Sequence, residues 1–317
     1  MRKVAVLWDE RYISEDEVLF EDEKLKKTME YFCKQGERKG LKVYVSHFSS
    51  YDKGKLEQAY TFDGQWKEVK NIEIDLVFDK FYFNEETKEL KYRIDEEVGI
   101  FNQPEFEEFC KDKFKVYCTF AGYVPKTVRA NKNDLDKLLD ELITENIVVK
   151  PRFGSGGESV KIVSKDKVSK ALEGFDDEEI KEGNVLLQEF VDSSRGIPSL
   201  DVNGVHDLRI VLVDGKPSYS FVRTPERGKI SNVSRGGNME TVSLENIPEK
   251  TMDVVKEIDK VMSDYDDRIY SIDFLFSESG EPFVVELNSK PGIKFNGEEV
   301  TKRKKKFIQD IIQALSS

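Results

Sequence analysis

The sequence has few of the residues on which several common kinds of site depend. Its 317 residues include two histidines, His47 and His206, and three cysteines, Cys33, Cys110 and Cys118. We therefore expect neither a histidine-based catalytic triad nor a histidine-rich metal site. An odd number of cysteines also argues against a disulfide framework, which makes the cytoplasm the expected location.

Long apolar runs and an excess of positive charge are missing too. The apolar run 4–8 ends at Asp9, too early for the hydrophobic region of a signal peptide, and no segment of the sequence is predicted to span a membrane. The formal net charge is −12, which argues against nucleic acid or an anionic membrane as a partner. The chain is long enough for two or three compact units, and the sequence leaves open whether it forms a homo-oligomer.

Residues 1–99 are predicted to form an α/β unit. Strands at 3–8, 42–47 and 74–79 alternate with an amphipathic helix at 22–38, a pattern that favours a parallel sheet. The segment 50–72 has weak periodicity and is not assigned.

The remaining chain is predicted to divide at residue 191. Residues 100–191 contain a strand, a glycine-rich loop and another strand, whereas a Rossmann or Walker loop would lead from a strand into a helix. Residues 192–317 contain two hairpins, a helix at 249–263 and a terminal amphipathic helix that begins with the basic run 302–306.

The second of these hairpins, 270–276 with 282–288, carries polar side chains on apolar strands. With Ser279 and Gly280 at the turn, Asp273 lies opposite Glu286, and Asn288 projects from the same face. Facing carboxylates repel, so we interpret them as ligands of a hard divalent cation such as Mg²⁺. An Asp273→Asn variant would then be inactive, but as stable as the parent or slightly more stable without metal. The alternative is a solvated acidic face.

A lysine and a glycine loop follow one another in the middle unit. Lys150 ends an apolar strand, where its buried ammonium needs an anion such as a nucleotide phosphate. The backbone amides of Gly154, Ser155, Gly156 and Gly157 can turn toward phosphate oxygens. A glycine loop alone is weak evidence, but the loop directly after Lys150 is considerably stronger.

The next strand of the middle unit ends in polar residues. Gln188, Glu189, Phe190 and Val191 lie where a strand that reaches a cleft can offer its backbone to an adenine edge. The alternative is an edge strand with an exposed glutamate.

Arginines gather in the third unit of this acidic chain. Asp207 and Arg209 alternate on one strand, and the segment 223–238 includes Arg223 and Arg235. Guanidinium groups suit carboxylate and phosphoryl oxygens, so we interpret them as holding an acidic substrate and its phosphorylated intermediate. The alternative is an ordinary exposed basic loop. Whether Arg223 shares the face of Arg209 depends on the hairpin register, and a one-residue bulge would reverse the answer.

Taken in order, these motifs resemble the ATP-grasp enzymes over about residues 100–296. The resemblance is to the carboxylate–amine ligase branch that includes glutathione synthetase and the glutamate ligase of ribosomal protein tails. It implies two α+β subdomains that grip ATP, preceded by a Rossmann-like α/β domain.

The resemblance also implies the roles of individual residues. Catalytic roles fall to Arg209, Arg223 and Arg235. The metal ligands are Asp273, Glu286 and Asn288. Nucleotide binding is implied for Lys113, Lys150, Gly154, Ser155, Gly156, Gly157, Gln188, Glu189, Phe190, Val191, Asp207 and Asn232.

The activity that the resemblance implies is ATP-dependent amide formation. A carboxylate is phosphorylated to an acylphosphate, which an amine on an amino acid, peptide or protein tail then attacks. The implied cofactors are ATP and one or two Mg²⁺ ions, with Mn²⁺ as an alternative. Two other hypotheses remain: an ATP-grasp kinase that phosphorylates a hydroxyl, and a non-catalytic ATP-binding module like that of synapsin.

Two departures from the family pattern stand out. No acidic residue between Asp192 and Asp201 clearly matches the ribose-binding acid. Lys290 follows Ser289 where a small residue is common, which could bring a cation near the predicted acceptor site.

Overall fold

The strands that the computed structural model describes form three sheets. The structure describes residues 1–13, 20–154, 159–225, 238–295 and 297–317. Each sheet is built from one stretch of the chain, and the first sheet extends two residues past the predicted boundary at residue 99. Among the described ranges, no helix is both long and apolar enough to cross a bilayer.

The first sheet has a parallel centre. Its elements are β1 (Arg2–Trp8), α1 (Glu23–Arg38), β2 (Leu41–His47), β3 (Tyr51–Asp52), β4 (Lys55–Phe62), β5 (Trp66–Glu73), β6 (Leu76–Asp79), α2 (Glu85–Val98) and β7 (Ile100–Phe101). The strand order is β3-β4-β2-β1-β6-β7, with β5 paired to β4. β1 runs parallel to β2 and β6, as predicted. The unassigned segment 50–72 forms antiparallel strands, and β5 contains no buried residue, which explains its weak periodicity.

Two helices cover this sheet from distant parts of the sequence. The Asp22 carboxylate caps α1 by accepting hydrogen bonds from the amides of Lys24 and Leu25. The last helix, α9 (Glu298–Leu315), contacts α1 and shares its apolar core. The terminal helix predicted in the third unit therefore packs against the first unit as well.

The second sheet is antiparallel. Its stretch of the chain contains α3 (Pro104–Lys111), α4 (Lys113–Thr119), β8 (Thr127–Arg129), α5 (Leu135–Glu141), β9 (Asn146–Pro151), β10 (Lys161–Ser164), α6 (Val168–Leu172), α7 (Asp177–Lys181) and β11 (Val185–Glu189). The strand order is β10-β9-β11-β8. In the antiparallel pair of β9 and β11, Lys150 lies opposite Leu186, so Gln188 is its diagonal neighbour on the same face.

The third sheet is also antiparallel and has two different faces. It comprises β12 (Asp207–Val213), β13 (Lys216–Thr224), β14 (Asn238–Val242), β15 (Ile269–Phe276) and β16 (Pro282–Asn288), with α8 (Glu249–Met262) between β14 and β15. The order is β14-β13-β12-β15-β16. One face packs Leu208, Ile210 and Ile272 against α8. On the other face, Val211 and Phe221 join the core that contains α9.

A buried group of four charged residues joins the units. Lys91 on α2 and Lys290, which follows β16, both contact Asp79 and Glu107. The Lys290 Nζ lies 2.8 Å from Asp79 Oδ2 and 3.0 Å from Glu107 Oε1. Lys290, which the sequence places near the acceptor site, is thus paired with two carboxylates.

Replacing Lys91 with Met is expected to lower the free energy of unfolding by about 3–5 kcal/mol, because two buried carboxylates would keep only one cation. Lys88 lies on the same helix but pairs with Glu108 at the surface. Lys88→Met is the matched control and should cost less than about 1 kcal/mol. Urea unfolding measures both values. Equal effects of the two substitutions would contradict a stabilising role for the buried group.

Candidate active site

One face of the third sheet brings together the charged residues predicted to act. Asp207 pairs with Arg223 across β12 and β13, and Arg209 pairs with Asp273 across β12 and β15. Asp273 in turn lies opposite Glu286. Directly opposed residues project from the same side of a sheet, so all five share one face.

A one-residue bulge decides where Arg223 points. Val213 pairs with Lys216 at the turn, and this register alone would place Arg209 opposite Ser220. Between Val211 and Leu212 the register shifts by one residue, so that Arg209 lies opposite Phe221 and Arg223 opposite Asp207. The bulge therefore places both arginines on the site face.

A second bulge determines the pairing of Asp273 with Glu286. The predicted pairing is confirmed, but the predicted turn is wrong by one residue, because Phe276 pairs with Pro282 instead of Phe283. A register shift next to Asp273 restores the alignment of the two carboxylates. Without this shift, Asp273 would lie opposite Val285, whose side chain is apolar.

Both Arg209 and Arg223 donate hydrogen bonds to the Asp273 carboxylate. Arg209 binds it with two hydrogen bonds, Nε to Oδ1 at 2.6 Å and a terminal nitrogen to Oδ2 at 2.5 Å. Arg223 donates to Asp273 Oδ2 at 2.7 Å and to Asp207 Oδ1 at 2.6 Å. Burial opposes ionisation of Asp273, but the two guanidinium charges outweigh it and lower the pKa of this carboxyl. Asp273 is therefore ionised and well compensated.

Glu286 has a different environment. Burial and the charge of Asp273 raise the pKa of its carboxyl, although the charges of Lys113, Arg209 and Lys150 act in the opposite direction. Among the described residues, none donates a hydrogen bond to this carboxylate. Glu286 is thus the acid at this site that lacks compensation and would gain most from a bound cation.

Two lysines from the second unit complete the charge distribution. Lys150 is buried and donates to Gln188 Oε1 at 2.8 Å, and Lys113 donates to the Gly154 carbonyl at 2.6 Å. Burial, reinforced by the charge of Lys113, lowers the pKa of Lys150 to about 8. Within the described part of the chain, neither ammonium forms an ion pair. Both lie close enough to Glu286 for their charges to lower its pKa.

The predicted adenine segment has its side chains engaged elsewhere. Gln188 accepts from Lys150 and donates to Thr127 Oγ1 at 2.8 Å, and Glu189 accepts from the Ile143 amide at 2.7 Å. Sequence reasoning missed the role of Gln188 in positioning Lys150. The polar residue at the end of an otherwise apolar strand was the available signal.

β11 ends at Glu189, and Phe190 and Val191 follow it in the chain. Contact between this backbone and adenine stays a prediction. Five other predicted site residues lie outside the described residues: Ser155, Gly156, Gly157, Asn232 and Arg235.

The oxygen atoms at the site fit a hard divalent cation. In the ranges that the structure describes, no group of three or more His, Cys, Asp and Glu side chains is arranged to hold a metal. The candidate set comprises two carboxylates, Asp273 and Glu286, and the amide oxygen of Asn288, which accepts from the Lys290 amide at 3.1 Å. Such a set suits an ion whose remaining ligands are phosphate oxygens and water.

The chain is similar to known proteins over more than half of its length. The family described as RimK-like ATP-grasp domain matches residues 120–311. A probable alpha-L-glutamate ligase from Rhodopirellula baltica is 26% identical over 173 residues, which are 54% of this chain and 38% of that protein. The tetrahydromethanopterin:alpha-L-glutamate ligase of Methanocaldococcus jannaschii is 26% identical over 238 residues, 72% of this chain and 75% of that protein. The aligned region thus spans less than half of the first relative.

Solved structures support the fold. D-alanyl-alanine synthetase A from Vibrio cholerae matches with a TM-score of 0.63 at 16% identity, covering 100% of this chain and 99% of that chain. The predicted ATP-grasp fold is confirmed, whereas the Rossmann-like character of the first unit stays a prediction. Because the family match covers more than half of the sequence, the chain belongs to the RimK-like ATP-grasp family.

Proposed function

We propose that the chain is an ATP-dependent ligase that joins a carboxylate to an amine through an acylphosphate, with Mg²⁺ as its metal. The observation that carries the proposal is the charge arrangement around Glu286. An uncompensated carboxylate faces the arginine-held Asp273, and two ammonium groups without carboxylate partners among the described residues, from Lys113 and Lys150, lie nearby. Such a site suits a ligand that brings both phosphates and a divalent cation.

The proposed reaction has two steps. A carboxylate oxygen of the substrate attacks the γ-phosphorus of ATP, the bond to the β–γ bridging oxygen breaks, and ADP leaves. The amine nitrogen then attacks the acyl carbon, the C–O bond to phosphate breaks, and the amine loses a proton. The products are an amide, ADP and inorganic phosphate. Two of the relatives are named as glutamate ligases, which favours this course over phosphorylation of a hydroxyl.

The chain's own residues contribute binding and electrostatic stabilisation. Lys113 and Lys150 would contact phosphate oxygens, which would replace the carbonyl and amide oxygens that they contact now. Arg209 and Arg223 would stabilise negative charge that develops beside Asp273. Glu286 and Asn288, with Asp273, would hold the metal, which supplies neutralisation of the phosphate charge when bound.

Product analysis tests the proposal. Purified protein would be incubated with Mg-ATP, a pool of amino acids and short peptides, and a pool of carboxylic acids. A ligase releases ADP and inorganic phosphate in equal amounts and forms a new amide that mass spectrometry detects. A phosphoester without phosphate release would identify a kinase instead. Failure of every pool to release ADP would overturn the enzymatic assignment and favour an ATP-binding module.

Replacing Lys150 with Met is expected to raise the KM for ATP about tenfold to a hundredfold, because a hydrogen bond from a charged donor to phosphate is lost. Lys126 is an exposed lysine of the same unit whose Nζ donates to the Glu141 carbonyl. Lys126→Met is therefore the control and should leave the KM unchanged. Steady-state ADP release at varied ATP measures both. An unchanged KM in Lys150→Met would remove this lysine from the nucleotide site.

A further inference from the structure

Two ammonium groups lie beside the peptide that follows the strand with Glu286 and Asn288. Lys80, which directly follows β6, donates to the Pro291 carbonyl at 3.2 Å. Lys304 on α9 donates to the neighbouring Gly292 carbonyl and to the Tyr219 hydroxyl, the latter at 2.6 Å. Residues that are far apart in the sequence thus direct two cations to one short segment.

Neither ammonium has a carboxylate partner among the residues that the structure describes. The neighbouring Lys290, by contrast, contacts both Asp79 and Glu107. Lys80 is only 8% exposed, so its charge is poorly hydrated as well as unpaired within the described ranges. Burial, with the added charge of Lys290, lowers the pKa of Lys80 to about 7. A buried cation without a counter-charge is costly for the fold, which suggests that a ligand supplies the missing anion.

The space beside this segment is open. A Cβ atom added to Gly292 would meet no heavy atom of the described residues within 4 Å, and Gly292 is exposed. The segment also lies near the catalytic candidates: burial lowers the pKa of Lys304, and the charges of Lys80 and Arg209 lower it further. An anion could therefore approach the two lysines from a position next to the candidate active site.

We propose that Lys80 and Lys304 bind an anionic group of the acidic substrate, a carboxylate or a phosphate that the reaction does not consume. The proposal rests on the proposed ligase function, since it assigns part of that enzyme's substrate. It implies that the substrate carries an acidic group besides the one that reacts, as an amino acid with an acidic side chain, a dicarboxylic acid or a phosphorylated acid does.

Thermal unfolding of the full chain without nucleotide tests this binding directly. The probes are succinate and inorganic phosphate, each compared with sodium chloride at the same ionic strength and with neutral succinamide. A saturable rise in Tm with succinate, with phosphate, or with both is expected, since a ligand bound only to the folded state stabilises it. The probe with the larger rise indicates which anion the site prefers. Absence of a rise with both probes would overturn the proposal.

Substitutions identify the residues on which the rise in Tm depends. Lys80→Met should abolish the rise, and so should Gly292→Ala, which fills the open space with a methyl group. A Cβ atom added to Gly122 would likewise meet no described heavy atom within 4 Å, so Gly122→Ala is the matched control and should keep the rise. Lys150→Met should keep it too. A rise that persists in Lys80→Met would overturn the proposal, and its disappearance in Lys150→Met would then assign the anion to the nucleotide site.

The stability of Lys80→Met without any probe separates binding from a structural role. Removing an uncompensated buried ammonium is expected to raise the Tm, whereas removing a structural lysine would lower it. A lower Tm would therefore count against the proposal. None of these measurements needs ATP or turnover. If the protein released no ADP but succinate or phosphate still raised its Tm, only the ligase function would be overturned.

Discussion

Replacing Glu286 with Gln is expected to raise the Tm of the metal-free protein and to lower ATP consumption roughly a thousandfold. The two effects have one cause. Glu286 faces Asp273 without a hydrogen-bond donor among the described residues, so its charge opposes folding until a cation binds. Glutamine removes that charge together with most of the affinity for the metal.

The gain in stability should depend on pH. The folded-state pKa of Glu286 is raised, so the folded protein binds more protons than the unfolded chain between the ordinary and the raised value. Stability therefore falls as pH rises through that interval. The difference in Tm between Glu286→Gln and the parent should be largest above the interval and vanish below it.

A matched control lies on the same hairpin. Glu281 is at the surface and pairs with Lys250, so Glu281→Gln should change neither Tm nor turnover appreciably. Scanning calorimetry at several pH values and steady-state ADP release measure the two effects. Retained turnover in Glu286→Gln, or a lower Tm than the parent at neutral pH, would contradict the role assigned to this carboxylate.

Replacing Asp273 with Asn is expected to lower the free energy of unfolding by about 3–5 kcal/mol. This reverses the expectation from sequence, which considered only repulsion between Asp273 and Glu286. Asp273 accepts hydrogen bonds from both Arg209 and Arg223, and an amide would leave these buried cations poorly compensated. Turnover should be lost as well.

A double-mutant cycle identifies the cause of the loss. The guanidinium of Arg209 donates to Asp273 through two nitrogens. Arg209→Met should therefore cost much less in the Asp273→Asn background than in the parent, because the pair is already broken. Urea unfolding of the four proteins gives the coupling energy. Additive effects, or an Asp273→Asn protein as stable as the parent, would show that these residues are not a stabilising pair.

The two carboxylates show what the sequence could and could not predict. Alternation of apolar residues predicted both strands of the hairpin, and the opposition of Asp273 and Glu286 is confirmed. It results from two deviations that offset each other, a wider turn and a bulge. The partner strand of Asp273 is β12, which lies far earlier in the chain. No local pattern indicates that pairing, so the arginine contacts were not predicted.

Other lysines also have partners that lie far away in the sequence and were not predicted. Lys290 was predicted near the acceptor, but Asp79 and Glu107, which come from other units, pair with it. Lys80 directly follows an apolar strand, and Lys150 lies near the end of another, so a similar signal was present in the sequence. Lys304 belongs to the basic run 302–306, for which no ligand was predicted from the sequence. Only packing of α9 against the other elements places its ammonium at Gly292.

The most direct test of the site is a titration of Mn²⁺ in the presence of ADP, with free Mn²⁺ followed by electron paramagnetic resonance. The parent protein should reduce the free Mn²⁺ signal well below the level that ADP alone produces. Glu286→Gln should leave the signal at the level of ADP alone, while Glu281→Gln should behave like the parent. Equal Mn²⁺ binding by Glu286→Gln and the parent would contradict the assignment of a nucleotide-linked metal to this hairpin.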